Sequence, residues 1–237
     1  MHNLLSLVIG VLFFTSASAA GKIFLDADSF SESIGMVAGI VTKIEEERVY
    51  CGEEFPDRKS SIDRAAFTWK LNNKSELTAY NAYVERNNLK LDGGVFKITS
   101  EFSNHIRGLT ENRDGICSLY SARTSGRISQ ETPIAARFLN DYLKANPLTE
   151  SEAKRRDSNI GCMKAGINDG ADYDGLLVTC KCAAAFYSAY GEFESFYKYI
   201  AKIESSESVS SIETSNQFIK RDCSIFRELF SESFRQP

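Results

Sequence analysis

The sequence predicts an all-α protein, an irregular bundle of about six to seven helices stapled by disulfides. Two observations favour helices over strands: apolar residues recur at helical spacing through most of the chain, and the 237 residues include only four prolines. A third observation, six cysteines, predicts the staples, because an even number is typical of disulfide frameworks in exported chains.

The N-terminus resembles a secretory signal in its composition. An unbroken apolar run from Leu4 to Phe14 is followed by small residues that include Ala17 and Ala19, the pattern of a cleavage site. The run is shorter than the roughly 20 residues that span a bilayer. We therefore expect residues 1–20 to be cleaved and the mature protein to be periplasmic or secreted, without stable membrane insertion. Residues 21–237 are predicted to form a single helical domain, with 21–125 and 126–237 as the alternative division.

In the first half of the chain, two long helices are expected, over residues 29–50 and 60–88. Three consecutive glutamates, Glu45 to Glu47, are interpreted as a solvated end of the first helix. Residues 51–56 are predicted to form a turn, and Asn72 and Asn73 to interrupt the second helix. The segment after the Asp-Gly-Gly loop, near residues 95–99, is ambiguous between a short β element and a helix start.

The second half contains clear helix signals. Thr132 followed by Pro133 predicts a helix start, and Thr149 with Glu152 forms a capping-box pattern. A turn over 168–175 is expected to lead into a return helix, which Gly191 kinks or divides. Residues 204–215 are predicted to be a polar linker, and Thr214 with Gln217 is interpreted as the cap of the last helix.

The six cysteines are predicted to be structural. The sequence has no C-x-x-C pair, which argues against zinc and redox sites. Cys180 and Cys182 lie two residues apart on a helix and therefore point to opposite sides, about 200° around the axis. We expect Cys180 to pair with Cys162 across the hairpin and Cys182 to pair with Cys223 on the last helix. Cys51 and Cys117 form the remaining pair.

No catalytic, cofactor or metal site is predicted. The chain lacks the common hydrolase, nucleotide-binding and metalloprotease motifs, and His105 is its one histidine after the leader. The turn with Asp172 and Asp174 does not match a calcium loop, because Gly170 and Lys181 occupy two ligand positions. The net charge of −4 makes nucleic acid an improbable partner.

Seven aromatic residues are concentrated between residues 186 and 199. They cannot all face one side of a helix, so part of the set is expected to pack in the core while some tyrosines reach the surface. Exposed tyrosine is enriched at the energetic centres of protein interfaces. The predicted partner contacts are Tyr187, Tyr190, Tyr197 and Tyr199.

These features lead to one functional hypothesis and two alternatives. We expect an exported helical protein that binds another protein, such as a periplasmic inhibitor or immunity protein that neutralises a toxin. The first alternative is a secreted or periplasmic hydrolase that uses carboxylates or Ser103 with His105. The second is a structural component of the cell envelope or of its assembly.

Overall fold

A computed structural model describes residues 30–87, 89, 113–205 and 207–233. Within these ranges every regular element is helical, with eleven α-helices and one short 3-10 helix, which confirms the all-α prediction. The predicted number of six to seven helices was too low, because short helices and a division at Asn73 add to the count. The proposed β element near 95–99 lies outside the described residues.

The chain divides into two compact units, unit 1 up to Asn146 and unit 2 from Pro147. The alternative division predicted from the sequence lies between residues 125 and 126 instead. Residues 126–146 belong to unit 1, because the helices they form pack against the earlier helices of that unit. The single domain remains a prediction.

Unit 1 is built around a central helix, α1 (Phe30–Glu54). A 3-10 turn (Pro56–Arg58) leads into α2 (Lys59–Asn72) and α3 (Lys74–Arg86). The later helices of the unit are α4 (Arg113–Thr124), α5 (Ile128–Glu131) and α6 (Pro133–Ala145). Helices α2, α4 and α6 all pack against α1.

The core of unit 1 follows the predicted apolar stripe of α1. Ile34, Val37 and Ile44 are buried there at helical spacing. Trp69 of α2 and Leu139 of α6 complete the core and are fully buried. Burial of such large side chains contributes about 2 kcal/mol each relative to exposure.

Two predictions about unit 1 need correction. The segment predicted as a turn after residue 50 is instead the last turn of α1, which continues to Glu54 before Pro56 starts the 3-10 turn. The second correction concerns Glu45, Glu46 and Glu47, which are buried rather than solvated. Glu45 pairs with Arg48 on α1 itself and with Lys70 on α2, and Glu47 pairs with Arg123 on α4. The sequence pattern of α1 alone does not reveal the partners on other helices.

Asn73 divides the predicted second helix into α2 and α3. Its side chain is fully buried. The amide Nδ2 donates to the carbonyl of Trp69 at 2.9 Å, and Oδ1 accepts the backbone N–H of Ile128 at 2.7 Å. One side chain therefore ends α2 and supplies the start of α5 with a hydrogen-bond acceptor.

Unit 2 consists of a helical hairpin and three further helices. The hairpin is formed by α7 (Glu150–Asn168) and α8 (Tyr173–Tyr190), which pack extensively on each other. The helices that follow are α9 (Glu194–Glu204), α10 (Ser210–Ser215) and α11 (Gln217–Ser233). Helix α11 packs against α8, α9 and α10.

Local signals set the ends of the unit 2 helices. Thr149 and Glu152 form the predicted capping box, and Asp172 caps α8 by accepting the N–H of Gly175 at 2.9 Å. Gly191 ends α8 with a φ of 78°, a left-handed conformation that favours glycine. The predicted cap of α11 was wrong. Asn216 accepts the N–H of Phe218 at 2.8 Å, whereas Thr214 lies inside α10.

The predicted polar linker over 204–215 is only partly a linker. Residues 210–215 form α10, because Val209 and Ile212 face the core while Glu213 makes buried polar contacts. The remaining core of unit 2 is rich in aromatic rings. Phe186, Phe196, Tyr199 and Phe226 pack with neighbouring ring centroids 5.1–6.4 Å apart.

All six cysteines are paired, and each disulfide lies within one unit. The three bonds are Cys51–Cys117 in unit 1, and Cys162–Cys180 and Cys182–Cys223 in unit 2. Their Cα–Cα distances are 5.7, 5.5 and 4.6 Å, within the usual range. They are the three predicted pairs, and they fix α8 to α7 on one side and to α11 on the other.

Candidate protein-binding surface

The junction between α8 and α9 carries a group of exposed aromatic rings, which we call the aromatic corner: Tyr187, Tyr190, Phe193 and Tyr197. Tyr197 is 66% exposed, Tyr190 47% and Phe193 39%, while Tyr187 is partly buried. Single exposed apolar side chains are common, but neighbouring exposed rings that form a patch mark interaction surfaces. The corner is therefore the strongest candidate for a contact surface in unit 2.

The rings of the aromatic corner are held in place by one another and by the core. Tyr187 stacks on Phe193 with centroids 4.8 Å apart and an interplanar angle of 22°. Tyr190 packs against buried Phe186, and Tyr197 against buried Phe196, both at 6.0 Å. The surface is thus pre-formed, so a partner would lose little entropy in ordering these side chains.

Two further bonds reinforce the position of the corner. The Tyr190 hydroxyl and the Ser215 hydroxyl lie 3.2 Å apart in a hydrogen bond that joins the end of α8 to the end of α10. The Cys182–Cys223 disulfide ties α8 to α11 two turns before Tyr190. Together these bonds limit the motion of the helix end that carries the rings.

Tyr199 was also predicted as a partner contact, but it does not lie on the exposed surface. Its ring is fully buried, and its hydroxyl donates to Glu213 Oε1 at 2.7 Å, while Arg227 binds Glu213 Oε2 at 2.6 Å. Burial and the neighbouring Glu213 carboxylate raise the pKa of Tyr199. The residue joins α9 to α10 in the core and is not accessible to a partner.

The spacing of Phe193, Phe196, Tyr197 and Ile200 predicts that all four continue the apolar face of the helix after Gly191. Phe196 is buried, but Phe193 and Tyr197 are exposed. Helix α9 begins only at Glu194, so Phe193 lies before the helix and is not on its core-facing stripe. The left-handed Gly191 was the available signal, because it ends α8 and restarts the helical register.

Unit 1 contains a second unusual arrangement, a buried ionic cluster centred on α1. Arg48 Nε donates to Glu45 Oε2 at 2.8 Å, and Arg48 Nη1 donates to Asp63 Oδ1 at 2.7 Å. Lys70 also pairs with Glu45, and Arg123 Nε binds Glu47 Oε2 at 3.1 Å. The cluster thus connects α1 to both α2 and α4.

The three consecutive glutamates of α1, Glu45 to Glu47, have different electrostatic surroundings. Burial acts to raise the pKa of Glu45, but Lys70 and Arg48 outweigh it and hold that pKa below the ordinary 4.5. Burial raises the pKa of Glu47 despite Arg123, and burial together with Glu47 raises the pKa of Glu46. Because Glu45, Glu47 and Asp63 are engaged by cations on other helices, the cluster serves to join helices.

Asn73 also begins a glycosylation sequon, Asn73-Lys74-Ser75. Because its amide group is buried and bonded at both ends, a glycan at this position is incompatible with the fold. The sequon therefore has no role as a modification site in the folded protein.

The two residues named for a catalytic role cannot be placed in the structure. Ser103 and His105, named for a hydrolase, lie outside the residues that the structure describes. Among the described residues there is no group of three or more His, Cys, Asp or Glu side chains that could hold a metal ion. Nor does any described helix combine the length and the apolar character needed to cross a membrane.

Comparison with known proteins adds no assignment. No family model, curated protein or solved structure matches this chain.

Proposed function

We propose that the protein is exported, is stabilised by its disulfides, and acts by binding another protein through the aromatic corner. The observation that carries this proposal is the exposure of Tyr190, Phe193 and Tyr197 on a rigid helix junction. Tyrosine and phenylalanine on a pre-formed surface supply large contact areas at low entropic cost, as in the energetic centres of protein interfaces.

Export is supported by two independent features. The N-terminal sequence has the apolar run and small residues of a secretory leader. The pairing of all six cysteines fits a compartment in which disulfides form and persist. A periplasmic or secreted location follows from these features as part of the proposal.

Within the class of binding proteins, the proposal favours an inhibitor, such as an immunity protein that neutralises a toxin in the periplasm. A rigid, disulfide-stapled scaffold with an exposed aromatic surface suits stoichiometric capture of one partner. An acidic balance also suits electrostatic attraction of a basic target.

The proposal is tested by partner capture followed by neutralisation. The mature, oxidised chain is immobilised and exposed to a periplasmic extract of the source cells. We expect one protein to be retained by the wild type and lost by the double variant Tyr190→Ser/Tyr197→Ser. Co-expression of the chain with the retained protein should then relieve that protein's toxicity.

A matched control distinguishes binding at the aromatic corner from non-specific hydrophobic binding. Leu119 of unit 1 is 58% exposed, so Leu119→Ser removes a comparable apolar surface elsewhere. This variant should retain the partner as the wild type does. If the wild type retains nothing, or if the double variant retains the same protein equally well, the proposed function is wrong.

A further inference from the structure

The charged groups around the aromatic corner carry a negative excess. Glu192 lies exposed in the turn between α8 and α9, and Glu194 begins α9. The one lysine that contacts them in the described structure is Lys198, whose Nζ binds Glu194 Oε1 at 2.6 Å and also interacts with Glu192. Lys154 of α7 interacts with Tyr187 and pairs with Glu150. Three carboxylates and two ammonium groups therefore leave one net negative charge around the rings.

The end of helix α8 adds negative potential at the same place. The C-terminus of a helix carries partial negative charge from its last carbonyl groups, equivalent to about half an electron charge, and cations are favoured there. The last turn of α8 contains no basic residue, and the helix ends at Gly191. The N-terminus of α9 carries partial positive charge, and Glu194 in its first turn offsets that charge.

The faces of the aromatic rings also favour a cationic partner. The face of an aromatic ring is electron-rich and attracts a guanidinium or ammonium group, by about 0.5–1 kcal/mol at an exposed site. Tyr190, Phe193 and Tyr197 are exposed to solvent, and they precede and follow Glu192 in the chain at the end of α8 and the start of α9. The chain as a whole also carries a net charge of −4, which attracts basic partners over longer distances.

From these features we infer that the partner presents arginine or lysine side chains to the aromatic corner. The inference rests on the proposed function and specifies the chemistry of its binding surface. An acidic partner surface would meet Glu192, the ring faces and the end of α8 with the wrong charge. A cationic side chain is attracted by all three, and arginine can also stack flat on a ring.

The inference is tested with two synthetic peptides on the oxidised mature chain. One peptide alternates glycine and arginine, and the other replaces each arginine by citrulline, which has a similar planar shape without the charge. Binding is followed by NMR of the aromatic ring signals during titration. We expect the arginine peptide to shift the signals of Tyr190, Phe193 and Tyr197, and to bind at least about fivefold more tightly than the citrulline peptide, as loss of a cation–π contact implies.

Two charge variants localise the effect. Glu192→Gln should weaken binding of the arginine peptide by about twofold to fivefold, the effect of one exposed charge pair. Asp169→Asn removes the same charge from the exposed turn between α7 and α8, at the opposite end of α8 from the corner, and should leave binding unchanged. Equal binding of the two peptides, shifts confined to other residues, or equal effects of the two variants would overturn the inference.

Failure of this inference can be separated from failure of the proposed function. A photo-reactive amino acid at position 197 joins the captured partner to the corner, and the linked segment is identified. If capture depends on Tyr190 and Tyr197 but the linked segment contains no arginine or lysine and Glu192→Gln binds normally, the binding function stands and the cationic partner is wrong. If capture does not depend on these tyrosines, both are wrong.

Discussion

The two units of the chain use different means to hold their helices together. In unit 1 a buried ionic cluster joins α1 to α2 and α4, and one disulfide closes a long loop. In unit 2 two disulfides fix α8 on both sides, and the core is largely aromatic. The aromatic core of unit 2 extends to the surface as the aromatic corner, whereas the ionic cluster of unit 1 is buried. Unit 2 also contains a buried ion pair, Arg155–Asp222, so the exposed rings, and not the absence of buried charge, are the reason for proposing unit 2 as the binding unit.

The largest expected effect on stability comes from removing disulfides. The loss grows with the length of the loop that each bond closes. Replacement of both Cys51 and Cys117 by alanine opens a loop of 66 residues and should lower the free energy of unfolding by about 4 kcal/mol. The same change at Cys162 and Cys180 opens a loop of 18 residues and should cost about 3 kcal/mol. Urea unfolding monitored by circular dichroism measures both values.

Because no disulfide joins the two units, each pair of substitutions should act on its own unit. Hydrogen exchange after the Cys51/Cys117 change should therefore lose protection in α1 and α4. Protection in α7 and α8 should persist. Uniform loss throughout the chain would contradict the division of stabilising devices between the units.

The next largest effect tests the buried ionic cluster. Arg48→Met removes the cation shared by Glu45 and Asp63 and leaves each buried carboxylate with a single lysine, Lys70 or Lys59, which should cost about 3 kcal/mol, the low end for a broken buried ion pair. Lys144→Met breaks an exposed ion pair with Asp141 in the same unit and should change stability by no more than about 0.5 kcal/mol. Similar urea midpoints for the two variants would show that the cluster does not support unit 1.

A smaller effect distinguishes two glycines of α7 in unit 2. A Cβ at Gly166 would overlap the Leu176 side chain of α8, whereas a Cβ at Gly161 meets nothing within 4 Å. Gly166→Ala should therefore destabilise by about 2 kcal/mol through overpacking. Gly161→Ala should stabilise by about 0.8 kcal/mol, because alanine favours the helix. Thermal unfolding gives the sign of each change, and equal signs would contradict the tight packing of the hairpin.

The smallest expected effect depends on pH and belongs to Glu46 in unit 1. Its folded-state pKa lies above the ordinary 4.5 because of burial and the nearby Glu47. The stabilisation linked to its proton is therefore complete below pH 4.5 and is lost as the pH rises through the folded-state pKa. Glu46→Gln should accordingly be more stable than the wild type at pH 7, with no such gain at pH 3.5.

A control for this pH effect is Glu150 at the start of α7 in unit 2. A hydrogen bond from Lys154 and its charge lower the pKa of Glu150, so the sign is opposite and Glu150→Gln should bring no gain at pH 7. Urea unfolding at the two pH values measures both variants. A gain by Glu46→Gln that is equal at pH 3.5 and pH 7 would mean that packing, not the charge of Glu46, is responsible.

Helix geometry supported the predicted Cys162–Cys180 pair and separate partners for Cys180 and Cys182, whereas Cys182–Cys223 and Cys51–Cys117 were a hypothesis among 15 possible pairings. Two residues on a helix separated by one other must point to opposite sides, and Cys162 and Cys180 lie at equal distances from the hairpin turn. The buried ionic cluster could not be predicted in this way. Glu47 and Arg123 are 76 residues apart in the chain, and nothing local indicates that their helices meet.

The candidate surface was predicted in part. The abundance of aromatic residues near Tyr190 indicated a surface, but which rings are buried depends on where α8 ends and α9 begins. Phe196 and Tyr199 lie three residues apart on the core stripe of α9, and both are buried. Tyr197 lies one residue off that stripe and is exposed. This assignment of buried and exposed rings requires the start of α9 at Glu194, which the sequence did not give.

The central claim is that the exposed rings of unit 2 serve binding rather than folding. The most direct test is isothermal titration of the captured partner into the wild type and into Tyr197→Ser, with urea unfolding of both proteins. We predict that stability changes by no more than about 0.5 kcal/mol, as for other exposed positions. The binding free energy should weaken by about 2 kcal/mol, roughly a 30-fold rise in Kd. An unchanged Kd, or a loss of binding matched by a loss of stability, would contradict the claim.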